Sequence, residues 1–405
     1  MDRRETLLAV HQKGEGELRA ETAVAVETFG GRVHVEWDAQ AAVTPLGQLP
    51  FFIEFLKTAE LFEPWVSDCP LRWTSPNAPS KRDILGTIVM AVLAGHWRYA
   101  HISSIRADGV NPPLLGMGKV VSEDSVRRAF VPAEAEACAR WQVGHLRRCY
   151  EPLLSESWIL DIDTAVKPLY GHQEGAQVGF NPHKPGRPSH VYHTYFMANV
   201  RLVLDVEVQG GKRTAAVHTR PGLFAFLDGL AREKWPAFVR GDIAFGNEGM
   251  MNDCEVRGLH YVFKLKQSGK VKRLIREVFG RADWVAAGQG WEGVEATLRL
   301  VGWTRERRVI VLRREIAGEG MLEKTERSGQ MVFAEIETAD GAKKYEYVVL
   351  VTSLPDAIPT LAQHYRDRAD AENVIDELKN QWSWCGFTTC DLKRCQIMAR
   401  MAALI

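Results

Sequence analysis

Apolar and polar positions change rhythm twice along this chain. From residue 46 to 155 apolar residues recur at helical spacing, in "LPFFIEFLKTAELFEPW", "KRDILGTIVMAVLAGH", "HISSIRADG", "SEDSVRRAF" and "PAEAEACARWQVGHLRRCYEPLL". Ser122 is placed to cap one of these helices, with Glu123 and Asp124 in its first turn, where the helix dipole favours anions. At Trp158 the period becomes strand-like, through "WILDID", "VYHTYFMANV" and "RLVLDVEV". The helical "GLFAFLDGLAREKW" follows, then a strand "AFVRGDIAF" ending at Asp242, a helix "NEGMMNDCEVRG" and a strand "HYVFKLK". Three strands followed by alternating helix and strand predict a mixed α/β sheet with helices on its faces. Between residues 284 and 352 the valine- and isoleucine-rich runs "GVEATLRLVGWTRERRVIVLRREI", "GQMVFAEIE" and "KYEYVVLVTSL" alternate again, which predicts a β-rich insertion. Pro355 and Pro359 then lead into a last helical segment containing "YRDRADAENVIDELKN".

The expected organisation follows from these shifts. Residues 1–45 carry no assignment beyond a short strand at "RVHVEW". Residues 46–155 form a helical region whose basic faces suit DNA, although a plain helical bundle has the same pattern. Residues 156–283 begin an α/β core, 284–352 are the insertion, and 353–405 complete the core. The longest apolar run, Ile84 to Gly95, is too short to span a bilayer and suits a buried helix. "MDRRETLLAVHQKGEGE" lacks the apolar stretch of a signal peptide. The seven cysteines include no C-x-x-C pair, and the spacing of Cys385, Cys390 and Cys395 matches no zinc motif, so reduced thiols and a cytoplasmic setting are expected. Formal net charge is zero, so any anionic partner must be met by local patches.

The carboxylates narrow the chemistry. Asp161 and Asp163 alternate with Ile162 and so share one face of a strand. Asp242 ends another apolar strand, and such positions are unusual for unpaired charge because burial is costly. Capping of the next turn is the ordinary role for either position. If Asp163, Asp242 and Glu372 converge, each pair about 4 Å apart repels by roughly 4 kcal/mol at an effective dielectric near 20, so the cluster needs a proton or a cation. Hard divalent ions prefer such oxygen ligands. On one continuous helix Tyr365, Arg368, Glu372 and Lys379 fall within a sector about 60° wide, beside an apolar stripe of Ala371, Val374, Ile375 and Leu378. Taken alone, the charged sector reads as a solvated face with intrahelical ion pairs.

Together these residues resemble a family. Tyr365, Arg368, Glu372 and Lys379 match the Y-(2)-R-(3)-E-(6)-K signature of DDE-class bacterial insertion-sequence transposases, in the branch with a β-strand insertion before the last glutamate. "DIDTAVKPLYG", "RGDIAF", "HQEGAQVGFNPHKPGRP" and "DELKNQWSWCGFTT" are similar to segments of the same group. The resemblance implies a ribonuclease H-like core in the order β-β-β-α-β-α-β, insertion, α. It implies Asp163, Asp242 and Glu372 as catalytic ligands of two Mg²⁺ or Mn²⁺ ions, with Asp161 the alternative to Asp163 and Asp376 to Glu372. It further implies that Tyr365, Arg368 and Lys379 contact double-stranded DNA at the element's terminal inverted repeats, that target DNA is a second partner, and that a homodimer brings two ends together. A bacterial, nucleoid-associated location goes with it. Relatives continue with further helices beyond the apolar end "CQIMARMAALI", so a truncated copy is expected.

Other candidates add to the surface. Eight Lys or Arg against Glu277 alone lie between Arg257 and Arg281, so "KLKQSGKVKRLIR", with Lys264 and Lys266, is a local basic patch suited to phosphates. Lys184 and Arg187 in "HKPGRP" suit a loop that follows DNA. His172, His183, His190 and His193 lack finger spacing, and zinc is not expected. Trp291 and Trp303 are candidates for stacking on an unpaired base, although a packing role is commoner. The leading expectation is a metal-dependent transposase without membrane association. The competing readings are a truncated DNA-binding inhibitor and a structure-selective nuclease on the same fold.

Overall fold

The computed structural model describes residues 24–35, 40–181, 184–316, 332–338 and 341–405. The N-terminal stretch read above for a signal peptide, the last two residues of "RVHVEW" and His183 lie outside them. β1 (Val24–Thr28) and β2 (Gly31–Val35) form a separate antiparallel hairpin. The helical region follows as α1 (Leu49–Thr58), α2 (Phe62–Ser67), α3 (Lys81–Leu93), α4 (Asn111–Leu114), α5 (Glu123–Ala129) and α6 (Ala135–Tyr150). "HISSIRADG" makes only a 3₁₀ turn, Tyr99–Ile105. Ser80 caps α3 by accepting from Asp83 N at 3.0 Å, and residues Ile84 to Val92 are buried on every side, so α3 is the central helix of this region. Ser122 likewise caps α5.

The α/β part runs β3 (Ile159–Pro168), β4 (Gln177–Val178), β5 (Pro188–Met197), β6 (Leu202–Gly210), α7 (Ala215–Asp228), β7 (Phe238–Gly241), α8 (Glu248–Val256), β8 (His260–Lys264) and α9 (Gly269–Phe279). β9 (Val285–Gly288), β10 (Trp291–Leu298), β11 (Arg307–Glu315), β12 (Val332–Thr338) and β13 (Gly341–Thr352) come next. The chain closes with α10 (Ile358–Arg366), α11 (Ala369–Asn380) and α12 (Leu392–Leu404).

One eleven-stranded sheet has the path β4-β5-β3-β7-β8-β13-β11-β10-β9, with β6 also on β5 and β12 on β13. β5 is antiparallel to β3 and β6, while β7 is parallel to β3 and β8. An antiparallel meander followed by two parallel strands that each enter through a helix is the ribonuclease H-like arrangement. β13 pairs antiparallel with β8, so strands β9 to β13 continue the same sheet outward.

Three apolar clusters fix the helices on this sheet. α7, α8 and α9 cover one face through Leu223, Met250 and Ile275, which pack with Leu160, Ile162 and Val239. On the opposite face Val374 and Ile375 of α11 and Ala399 of α12 pack on Ala165, Tyr192 and Phe196. Leu361 and Ala362 of α10 instead meet Val262, Ile310 and Leu350. α12 also sends Ile397, Met398 and Met401 into the core of the helical region, and Gln142 of α6 donates to the Ile397 carbonyl at 2.8 Å.

The single helix expected to carry Tyr365, Arg368, Glu372 and Lys379 is two helices. Asp367 and Arg368 keep right-handed backbone angles, but the bonds tighten to i→i−3: Arg368 N to Tyr365 O at 3.2 Å, Asp370 N to Asp367 O at 3.1 Å and Ala371 N to Arg368 O at 3.0 Å. α10 packs on β8 and the added strands, while α11 packs on β3 and β5. The chain therefore bends where it passes between the two surfaces, and the common 60° sector does not apply.

Candidate active site

β3 carries the first two aspartates. Its pairing with β7 ends at Ile162↔Gly241, although β3 runs on against β5 to Pro168. Asp163 therefore stands just where β7 stops, and Asp242 is the first residue past that end. Asp242 Oδ1 accepts the Ala244 amide at 2.8 Å and shapes the turn into α8, so its ordinary capping role is present as well. Gly241 fits because a Cβ there would come within 2.6 Å of the Phe245 ring and 3.0 Å of Ile162.

The two candidates on β3 have different partners. Asp161 forms a fork with Arg240, its cross-strand neighbour on β7, through Nε and through Nη2 at 2.9 Å. Arg240 Nη1 then donates to the His364 carbonyl at 2.6 Å, tying β7 to α10. Both side chains are buried, so Asp161 is closed off as a structural ion pair. Asp163 Oδ1 accepts the Thr164 amide at 2.7 Å, and Oδ2 accepts from Arg368 Nη2 at 2.9 Å. Burial pushes the Asp163 carboxyl up to about 6; Arg368 opposes this, and the Asp242 and Glu372 charges add to it. Asp163 is thus electrostatically joined to the other two acids of the expected set.

Glu372 sits in the first turn of α11, where the dipole favours a carboxylate. Its side chain is 64% exposed, and Oε1 accepts from Arg368 Nη1 at 2.9 Å. Arg368, at the helix junction and only 6% exposed in its side chain, therefore bridges Asp163 and Glu372. Its Nε is buried without a hydrogen-bond partner among the described residues. Tyr365 is half-buried within range of all these charges, and burial raises its phenol well above the ordinary value. Lys264, at the end of β8, faces the same group; burial lowers its ammonium and the Arg368 charge adds, against Asp242 and Glu372. Lys266 is exposed beyond the strand.

Lys379 lies two turns along α11, with Nζ 4.0 Å from Asp376; burial pushes the half-buried Cys385 thiol up to about 11, and the Lys167 and Lys379 charges oppose this. Asp376 is exposed. Lys184 and Arg187 flank the exposed Tyr170, with their cationic groups 5.0 and 4.8 Å from its ring centroid, so this loop presents a cation–aromatic cluster to solvent. α9 is amphipathic: Val271, Leu274, Ile275 and Val278 are buried, and Lys270, Arg273 and Arg276 are exposed. Trp291 and Trp303 are instead covered by Arg314 and Arg307, at 4.9 and 5.1 Å. His190 and His193 are buried; their ring nitrogens meet the Glu174 carbonyl at 2.7 Å and Thr219 Oγ1 at 2.8 Å.

Sequence reasoning missed Arg240. The signal was its place in "VRGD", two residues before Asp242 and on the same strand face, but its partner depends on the β3–β7 register. Among the described residues no three His, Cys, Asp or Glu side chains are spaced to hold a metal ion. The donor chemistry of Asp163, Asp242 and Glu372 nevertheless suits a hard divalent cation: all donors are carboxylate oxygens, crowded enough that a guanidinium joins two of them.

No curated protein matches the chain. Among solved structures, the cryo-EM structure of the piggyBac transposase synaptic complex with hairpin DNA is similar at TM-score 0.41 and 12% identity, covering 90% of this chain and 76% of that one. The Mos1 transposase paired-end complex with left transposon end is similar at TM-score 0.18 and 12% identity, covering 54% of this chain and 67% of that one. A family model described as Transposase DDE domain group 1 matches residues 72–400. That span runs from the helical region through Asp163, Asp242 and Glu372 into the last helix, and the chain belongs to this family of DDE transposases.

Proposed function

We propose that this transposase cuts DNA strands at the ends of a bacterial insertion sequence and joins the freed 3′-hydroxyl to a second phosphodiester. What supports this reading is the electrostatic coupling of Asp163 to Asp242 and Glu372 near the end of β7, with Arg368 paired to Asp163 and Glu372 and Lys264 within range of the same charges. Mg²⁺ or Mn²⁺, two ions by resemblance, held by these three carboxylates would supply the Lewis-acid charge that activates an attacking oxygen and stabilises a leaving one.

The chain's own residues do the rest. The meander and the β3–β7 pairing hold Asp163 on a strand and Asp242 just past the end of its neighbour, and α11 supplies Glu372, which faces solvent. Arg368, Lys264 and Tyr365 are donors suited to a substrate phosphate in the same recess. Lys184, Arg187 and Tyr170, with Lys266 and the exposed face of α9, extend positive charge along which double-stranded DNA of the terminal inverted repeats or the target can lie; Lys379 adds to this on α11. A homodimer holding two ends belongs to this reading, as does work at the bacterial chromosome in the cytoplasm.

The test uses duplex DNA taken from the genomic flanks of the coding region. The protein is expected to cut it in Mg²⁺ and not in EDTA. Asp163→Asn, Asp242→Asn and Glu372→Gln are expected to bind the same duplex and leave it intact. Cleavage at the unaltered rate by Asp242→Asn would sink the assignment.

A further inference from the structure

Arg368 lies between two of the three carboxylates that would hold a divalent ion. It holds Asp163 Oδ2 and Glu372 Oε1, both at 2.9 Å, through the two ends of one guanidinium. Both Asp163 oxygens already accept a bond, so an ion taking Oδ2 has to displace or crowd Arg368. The arrangement is also incompletely satisfied, because the buried Arg368 Nε finds no acceptor among the described residues. A buried donor left unmet is costly, and that cost makes the guanidinium easier to draw away. The side on which it can be drawn away is open, since Glu372 faces solvent. The arginine also stands at the bend between α10 and α11, where the amides of Arg368, Asp370 and Ala371 make i→i−3 bonds. A phosphate presents the oxygens that a guanidinium fork matches best.

We propose that Arg368 is a built-in counter-ion for the acidic cluster, which DNA phosphate draws off, so that divalent cations bind tightly only once DNA is in place. This rests on the metal-dependent reading above. In the free protein the guanidinium offsets part of the charge of Asp163 and Glu372 and keeps them together without metal. When a phosphate takes over the guanidinium, the two carboxylates lose their internal cation and gain affinity for an external one. By linkage, the metal strengthens DNA binding to the same extent. Cutting is thereby confined to occupied protein.

The experiment measures Mn²⁺ affinity by the loss of the free-ion paramagnetic resonance signal, a readout that does not depend on turnover. It compares the unaltered chain, Arg368→Met, Arg368→Lys and Asp163→Asn, with and without a short duplex from the genomic flanks, and circular dichroism confirms folding. Freed from competition with a charged hydrogen-bond donor, Arg368→Met is expected to bind Mn²⁺ about ten- to a hundredfold more tightly than the unaltered chain when DNA is absent. Arg368→Lys, which keeps the charge but not the fork, is expected to fall between and carries the test should the methionine variant not fold. The duplex is expected to tighten Mn²⁺ binding by the unaltered chain and to leave Arg368→Met unchanged. Equal affinity of unaltered and Met proteins without DNA overturns the proposal, as does weaker binding by a folded Met protein, because the arginine then assembles the site rather than competing for it. If those outcomes come with loss of binding in Asp163→Asn, the metal-dependent reading survives the failure. Absence of Mn²⁺ binding by every protein removes both.

Discussion

Replacing Asp161 with alanine removes one half of the most enclosed ion pair at the site. The Arg240 and Asp161 side chains are 3% and 2% exposed, so no water reaches the guanidinium when its carboxylate is gone. Among the described residues, Arg240 then keeps its side-chain bond to the His364 carbonyl alone, at 2.6 Å. An uncompensated buried charge of this kind costs about 3–5 kcal/mol. If the whole chain melts together, that lowers its melting temperature by about 4–6 °C, from the usual unfolding entropy per residue. The assay is thermal and urea unfolding followed by circular dichroism, on Asp161→Ala, Arg240→Met and the double variant Asp161→Leu/Arg240→Met. The double variant is expected to recover most of the loss, because a buried ion pair pays desolvation on both partners and apolar replacements of similar volume do not. A shift below about 1 kcal/mol for Asp161→Ala would refute the reasoning, since it would mean that Arg240 is solvated or repartnered. So would a double variant less stable than either single one.

Two further outcomes follow from other parts of the molecule. His193 is buried, and burial together with the neighbouring His218 holds its imidazole down at about 4, against 6.5 when free. The unfolded chain thus takes up a proton that the folded chain refuses. Stability present above pH 6.5 is lost as pH falls towards 4, by about 2 kcal/mol at pH 5. Urea unfolding of the unaltered chain and His193→Gln at pH 7 and pH 5 should show the gap between the two pH values shrink by that amount in the variant. On the surface, Lys184→Ala/Arg187→Ala is expected to weaken DNA binding alike for all sequences and to lower the slope of log affinity against log salt by about 2, as for two lost phosphate contacts. Filter binding over a salt series checks it, and an unchanged slope removes this loop from the DNA path.

Much of the fold was legible because its signals are local. Alternation at "WILDID", "RLVLDVEV" and "HYVFKLK", with helical spacing between the later strands, placed the meander and the two parallel strands in order. The same alternation placed Asp161 and Asp163 on one face, and the end of an apolar run marked Asp242. The segment "YRDRADAENVIDELKN" has the sequence of a continuous helix because every residue in it accepts helical angles. Nothing local marks the bend, which arises because Leu361 and Val374 pack on different parts of the sheet.

Sequence by itself determined which residue types were available and which strand or helix each would occupy, since side-chain period and apolar pattern depend on neighbours a few residues away. Tertiary structure gave the two aspartates different partners and set Arg368 between Asp163 and Glu372. Asp161 is closed off because parallel pairing sets it against Arg240, 79 residues on, whereas β7 ends beside Asp163. Arg368 reaches Asp163 across 205 residues of chain. Strand register and chain termini in space depend on contacts summed over the whole core, and a charge is buried stably only where that summation supplies its partner.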